Sequence, residues 1–268
     1  KSIKSLSDID GIAVTSGPGL MVCLNVGVNI AKSISAFTNK PLVAVNHLEG
    51  HALSPNLTNN IEFPYLLLLI SGGHSQFLIV YDVNRYLQLG TTIDDALGEA
   101  FDKTSKMLGF SYPGGPEIEK LAKKGDEDFF RLPLPIINKG GCNLSFAGLK
   151  TAVLREIKNI KSNQEKYNLA ASFQKTINKI LRKKTAFAVN QFKDKTKNDC
   201  GTIVVAGGVA ANKSIRENLE GLAKEKKFRI LFPKIEYCGD NAAMIAWAGL
   251  LRYKKKLISN LSLQAKSR

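Results

Sequence analysis

Four cysteines, three histidines, nine prolines and one tryptophan are thinly spread through 268 residues, and each scarcity closes off a class of protein. Cys23, Cys142, Cys200 and Cys238 form no C-x-x-C pair, which excludes a zinc ribbon or a disulfide framework and points to a reducing compartment. No Pro/Gly/Ser-rich linker divides the chain and no short-period repeat runs through it, so neither a tethered two-domain protein nor a solenoid is indicated. The longest apolar run, residues 63–70, is too short to cross a bilayer, and the first residues lack the apolar core of a signal peptide. The expectation is a soluble intracellular protein with no membrane partner.

Acidic residues are also in deficit. Twenty-three Asp plus Glu against 38 Lys plus Arg leave a formal charge of +15, which favours a polyanionic partner. Only eight of the basic residues are Arg, so the surplus suits phosphate contacts better than bidentate base reading; a Lys- and Asn-rich coding bias would give the same excess.

What is present is a globular α/β pattern, 44% hydrophobic with 22 Gly. Residues 9–15 read as a buried strand closed by Ser16-Gly17-Pro18-Gly19, residues 20–38 as a helix, and 41–45 as a second strand: a crossover unit of the kind that builds parallel sheets. Strands are predicted at 65–70 and 76–81 around a tight Ser71-Gly72-Gly73-His74 turn, with another at 86–92 and an acid-led helix at 94–108. Residues 109–148 read as loop-rich and 149–192 as helical and basic. A strand at 202–206 stopped by Gly207-Gly208, a helix opened by Asn212, a strand at 228–232 and a helix at 241–252 complete the pattern. It suggests two lobes of an open sheet closing over a nucleotide: residues 1–62 plus the C-terminal helix of 241–268, and residues 63–240.

All the histidines sit in two motifs. His47 and His51, spaced by four, share one helical face, the geometry of two imidazoles on one metal ion, although a surface pair has the same spacing. Glu49 lies two residues from each, so on a helix it points away from their face and makes a poor general base, unlike the Glu of a zincin. Asp240 is the leading third ligand; a plain helix N-cap is its competing role. The Gly-Gly pairs at 72, 114, 140 and 207 offer close backbone approach to a phosphate or a base, but no Walker lysine and no G-x-G-x-x-G accompany them. Asp95, Glu99 and Asp102 fall on one helical face, where they would be solvated, or engaged by ribose hydroxyls or by Lys103 and Lys106.

Together these segments resemble a known family. Ser16-Gly17-Pro18-Gly19, Asn46-His47-Leu48-Glu49-Gly50-His51, Ser71-Gly72-Gly73-His74-Ser75, Asp94 to Lys103, Tyr112-Pro113-Gly114-Gly115-Pro116, Asn143 to Lys150, Ala206 to Asn212 and Asp240-Asn241-Ala242-Ala243-Met244 are similar, in order over residues 9–253, to the universal tRNA threonylcarbamoyladenosine transferases. That family was formerly described as O-sialoglycoprotein endopeptidases, and the match looks nearest to its bacterial and mitochondrial branch. The resemblance implies an actin-like, Hsp70-like fold with RNase H-like sheets. It implies transfer of threonylcarbamoyl from threonylcarbamoyl-AMP to the adenosine beside the anticodon of tRNAs reading ANN codons.

By position, the resemblance makes His47, His51 and Asp240 the metal ligands, with iron first and zinc second. Leu69, Ile70, Ser71, Gly72 and Gly73 would line the adenylate phosphate and carbamoyl site, Asp102, Gly115 and Asn212 would hold the nucleoside, and Glu119 would contact ribose. An inactive paralogue and a small P-loop ATPase are implied partners, and the cytoplasm of a bacterium, or alternatively a mitochondrion, the implied location. The family pattern opens with a strand and hairpin of about sixty residues that would precede Lys1. The expectation is therefore a first lobe with an unpaired strand edge, poorly soluble or inactive alone. A metallopeptidase, a non-catalytic nucleotide-binding scaffold and a sugar or acetate kinase of the same fold are the competing readings. Roles for His74, Lys150 and the basic stretch 175–184 stay open, a tRNA-backbone contact by Lys179, Arg182 and Lys183 being one option for the last.

Overall fold

A computed structural model describes residues 5–267, so the outermost ends of the expected first lobe, residues 1–4 and 268, lie outside the described residues. The chain forms two sheets. The smaller one pairs β1 (Ile12–Gly17) with β2 (Leu42–Asn46) in parallel, connected through α1 (Met21–Thr38). The larger has β3 (Tyr65–Ile70), β4 (Ser75–Asp82), β5 (Arg85–Thr91), β6 (Thr202–Ala206) and β7 (Arg229–Leu231) in the order β5-β4-β3-β6-β7. β3, β6 and β7 pair in parallel, whereas β4 pairs antiparallel with both β3 and β5, so the sheet is mixed.

All six residues of β3 are buried, because both faces of this central strand are covered and its apolar run needs no alternation. On one face Leu66, Leu68 and Ile70 join a large core with α3 (Leu97–Met107), α4 (Gly114–Ala122), α5 (Ala147–Ile157), α6 (Asn163–Thr196) and α7 (Lys213–Lys226). On the other, Tyr65, Leu67 and Leu69 pack against Ala52 of α2 (His47–Leu53) and Ile61. A third cluster joins β2 to α8 (Ala242–Lys254) through Val43, Val45, Met244, Ile245 and Ala248.

Several expectations need correcting. β1 starts at Ile12 and is half-buried rather than buried. Among the described residues it pairs only with β2, and a 560 Å³ groove lined by β1 and α8 runs beside it. The acidic pair Asp94-Asp95 precedes α3 instead of opening it, Ala96 being the N-cap. The loop-rich middle contains α4, whose entry through Pro113 and Gly114 suits a helix N-terminus, where a missing N–H costs nothing. By length and composition alone α1 is also long and apolar enough to cross a membrane, a property that its interrupted apolar sequence does not show as a single run. Its Leu24, Val28 and Ala31 are buried, whereas Val22, Val26, Ile30 and Phe37 are exposed.

Candidate functional site

β2 ends at Asn46, whose side-chain oxygen accepts hydrogen bonds from the Leu48 N–H (2.8 Å) and the Glu49 N–H (3.4 Å), so α2 begins at His47. One turn later His51 stacks edge-on to His47, with ring centroids 4.9 Å apart. Asp240 arrives from the opposite side, on the loop before α8. It does not cap that helix: Asn241 does, accepting from the Met244 N–H at 2.8 Å, which removes the competing role for Asp240. The Asp240 Oδ1 atom lies 3.0 Å from His51 Nε2 and 3.4 Å from His47 Nε2. Burial first, then His47, pushes the His51 imidazole below its usual range, which keeps a lone pair available.

The three donor atoms all lie within 4.8 Å of one another. Ligands about 2.0–2.2 Å from a shared ion sit roughly 3–3.5 Å apart, so the two His–Asp240 separations fit a two-His, one-carboxylate centre with open positions. His51 is almost wholly buried while Asp240 is 75% exposed, so the centre is closed on the α2 side and open on the other. Gly50 permits this packing: a Cβ there would lie 2.8 Å from Ile245 Cδ1 on α8.

Glu49 takes no part. Its buried carboxylate accepts from the Asn84 N–H (2.9 Å), the Tyr86 hydroxyl (2.8 Å) and Arg252 Nη1 (2.8 Å), tying α2 to the β4–β5 turn and to α8. It faces away from the histidines, as the spacing predicts. The zincin arrangement, with a glutamate beside the metal-bound water, is absent.

Two cavities adjoin the triad. One, of about 700 Å³, is lined by His47, Asp240, Ser71, Gly72, Gly73 and His74. The other, of about 420 Å³, is lined by Gly72, Asp102, Gly115, Glu119, Asn212 and Gly239. They share Gly72, and Gly239 of the second adjoins Asp240 of the first. A Cβ on Gly72, Gly73 or Gly115 would meet nothing within 4 Å, so these backbones face open space that a ligand can enter. By contrast, Gly207 (φ +94°) is where a Cβ would lie 2.4 Å from Ile70 O, so only glycine lets β6 end this close to β3.

The polar groups around the second cavity are partly engaged. Asp102 Oδ1 accepts from the Gly114 N–H at 2.8 Å, Glu119 Oε1 from the Lys213 N–H at 3.0 Å, and Asn212 Oδ1 from the Ile215 N–H at 2.9 Å. Asn212 also donates to Gln174 Oε1 at 2.9 Å. Leu69 and Ile70 do not line either cavity: both side chains are wholly buried, on opposite faces of β3, because a central strand alternates its faces. The acidic face also divides. Asp95 pairs with Lys150 (2.6 Å) and Lys103, Glu99 pairs with Lys103, and Asp102 alone reaches the cavity. Lys150 holds the Asp95 carboxyl below its ordinary range, and Lys106 makes none of these contacts.

In the basic stretch, Lys175 pairs with Glu127 and Asp128, and Arg182 pairs with Glu225 and Asn218 O. Lys184 is buried against the carbonyls of Lys139 and Gly141, and that burial lowers its proton affinity. His74 is half-buried in the larger cavity, its imidazole below the usual range through burial and then His47. Sequence reasoning missed Gln174; its signal was a buried amide on the apolar stripe of α6 that carries Ala170, Phe173 and Ile177.

The tRNA N6-adenosine threonylcarbamoyltransferase family matches residues 2–247. A protein of that name from Pelagibacter ubique (strain HTCC1062) is 60% identical over 268 residues, all of this chain and 75% of the relative. One from Rickettsia rickettsii (strain Sheila Smith) is 52% identical over 271 residues, all of this chain and 79% of the relative. Among solved structures, T.kodakarensis HypF superposes with TM-score 0.64 at 15% identity, over 95% of this chain and 42% of that one. A phosphate- and nucleotide-bound full-length HypF does so with TM-score 0.63 at 12% identity, over 87% of this chain and 38% of that one. These likenesses carry the fold, an actin-like α/β architecture.

Proposed function

This chain belongs to the tRNA N6-adenosine threonylcarbamoyltransferase family, and from that premise we propose that its two joined cavities hold one threonylcarbamoyl-AMP donor, nucleoside in the smaller and reacting end beside the triad. The activity is an acyl-type transfer to a tRNA adenosine. The observation that carries the reading is the shared Gly72 wall, which puts the Asp102, Gly115, Glu119 and Asn212 cavity next to His47, His51 and Asp240.

His47, His51 and Asp240 would hold one divalent ion, iron in the first place and zinc in the second, and when bound it supplies Lewis acidity to the donor's carbonyl or phosphate. The remaining work belongs to the chain. Gly72 and Gly73, without side chains, let the backbone come close to the phosphate. Asp102 and Glu119 keep lone pairs for ribose hydroxyls beyond those taken by Gly114 and Lys213. The Asn212 amide is oriented by Ile215 and Gln174, so its second N–H is left to meet a nucleoside acceptor. In the transfer, the N6 amine forms a C–N bond to the carbamoyl carbon, the carbon–oxygen bond to phosphate breaks, AMP leaves with that electron pair, and the amine gives up a proton. No Ser, Cys or Lys nucleophile is required.

The division into a lobe of residues 1–62 with the C-terminal helix and a lobe of 63–240, the cytoplasmic location, and partnership with an inactive paralogue and a small P-loop ATPase belong to the same reading. Incubation of the full-length protein with threonylcarbamoyl-adenylate and unmodified tRNA, followed by mass spectrometry of the nucleosides, tests it. The modified adenosine is expected. Its absence together with cleavage of a glycoprotein would favour a peptidase instead.

A further inference from the structure

Residues 232–240 cross from β7 of the large sheet to α8, which packs on the small one. This crossover carries Ile235, Cys238 and Gly239, one wall of the smaller cavity, and ends at Asp240 of the triad. The facing wall is the turn at 208–212, with Gly208, Val209, Ala211 and Asn212. One side chain spans both walls. Arg216, on the first turns of α7, donates from Nε to Ala210 O at 2.6 Å, and from Nη2 to Pro233 O at 3.1 Å and to Cys238 Sγ at 3.4 Å. Its guanidinium also lies over the Phe232 ring, 4.8 Å from the centroid. Among the described residues, every hydrogen bond between residues 233–238 and a residue outside that segment is donated by Arg216.

We propose that Arg216 is a positioning residue that holds the crossover at a fixed distance from the 208–212 turn, keeping the nucleoside cavity in register with the His47–His51–Asp240 triad. It touches neither ligand site directly; it acts through Ala210, Pro233 and Cys238. Arginine suits this place because one planar fork meets three acceptors in fixed directions, which a lysine ammonium on a flexible stem cannot do. The histidines are held separately, by α2 packed on α8 and by Glu49 bound to Arg252. Loss of Arg216 therefore leaves the two histidines and the Asp102, Gly115, Glu119 and Asn212 side of the smaller cavity in place, while freeing the crossover, with Asp240 at its end, to move against them.

The proposal rests on the reading that one donor spans both cavities, and the test separates the two. AMP is titrated into the full chain with and without saturating Zn²⁺, and Zn²⁺ with and without AMP, giving a coupling that must be the same in both directions. In the unsubstituted protein Zn²⁺ is expected to tighten AMP by roughly tenfold. In Arg216→Met the coupling falls to within about twofold, while AMP alone and Zn²⁺ alone each bind within about threefold of the unsubstituted protein. Should Arg216→Met not fold, Arg216→Lys, which keeps the charge without the fork, is read the same way. An unsubstituted protein with no coupling overturns the spanning donor and the proposal with it. Normal coupling there that persists undiminished in a folded Arg216 variant overturns the role of Arg216 alone.

Discussion

Replacing Glu49 by Gln separates the role the structure gives this residue from the one a peptidase would need. The carboxylate is almost fully buried and receives three hydrogen bonds at 2.8–2.9 Å, one of them from Arg252, which keeps a second partner in Asn84 Oδ1 at 3.1 Å. A glutamine of equal size can accept from two of those donors but turns an N–H₂ toward the third, and it leaves the Arg252 charge without its counter-ion. Breaking a buried pair in this way costs about 3 kcal/mol, at the low end of such losses because Arg252 keeps Asn84. For a domain of this size that lowers the melting midpoint by roughly 6–12 °C. Metal content measured on the purified variant should match the unsubstituted protein, and transfer assayed well below the new midpoint should retain most of its rate. An unchanged melting curve with abolished activity would refute the reasoning, because it would place the carboxylate in the chemistry rather than in the frame.

Other substitutions probe the frame around the site. Gly50→Ala should cost about 1 kcal/mol, since its Cβ would press on the movable Ile245 Cδ1; Zn²⁺ titration should show weaker binding as α2 shifts. Gly98→Ala should cost more, about 2–3 kcal/mol, because its Cβ meets the backbone of Ser71 and Gly72 at 2.7–2.9 Å; AMP affinity reports the displaced turn. Asp94→Ala should lose about 1–2 kcal/mol by chemical denaturation, since Asp94 accepts from the Phe146 and Ala147 N–H groups at the start of α5 and from the Ser145 hydroxyl. For the metal-free protein, the His51 imidazole is lowered from 6.5 in the folded state, so below that pH the unfolded chain binds a proton that the folded one does not. Its stability should therefore fall as pH drops from about 6.5 through the lowered value and stay level above it, and His51→Gln should flatten this dependence in a melt series.

The parts of this molecule legible in its sequence are those decided locally. β3 is an apolar run between Pro64 and the Ser71-Gly72-Gly73 turn, β6 one between Gly201 and Gly207, and Asn212 as the N-cap of α7 follows from its own short-range bond to the Ile215 N–H. The His47–His51 pair was visible because its spacing is a property of one helix, and so was the outward direction of Glu49. What Glu49 binds was not, because Arg252 lies 203 residues away. Asp94 was misread for the same reason. An acid three residues before a helix reads as the start of that helix, but this one accepts from the Phe146 N–H, 52 residues on. Asp240 and Asn241 are both competent caps, and only packing of α8 on α2 decides which one caps and which one faces the histidines. α4 was hidden because prolines and glycines signal loops, although at a helix start they are well tolerated.

The central claim is that His47, His51 and Asp240 form one metal centre on which threonylcarbamoyl transfer depends. It is tested most directly by measuring bound metal per chain and transfer to unmodified tRNA on the same preparations of the unsubstituted protein and of His47→Ala, His51→Ala and Asp240→Ala. The account predicts one ion per chain in the first, and in each folded variant a joint loss of metal and of modified adenosine. Full metal content with undiminished transfer in His47→Ala or Asp240→Ala would contradict it.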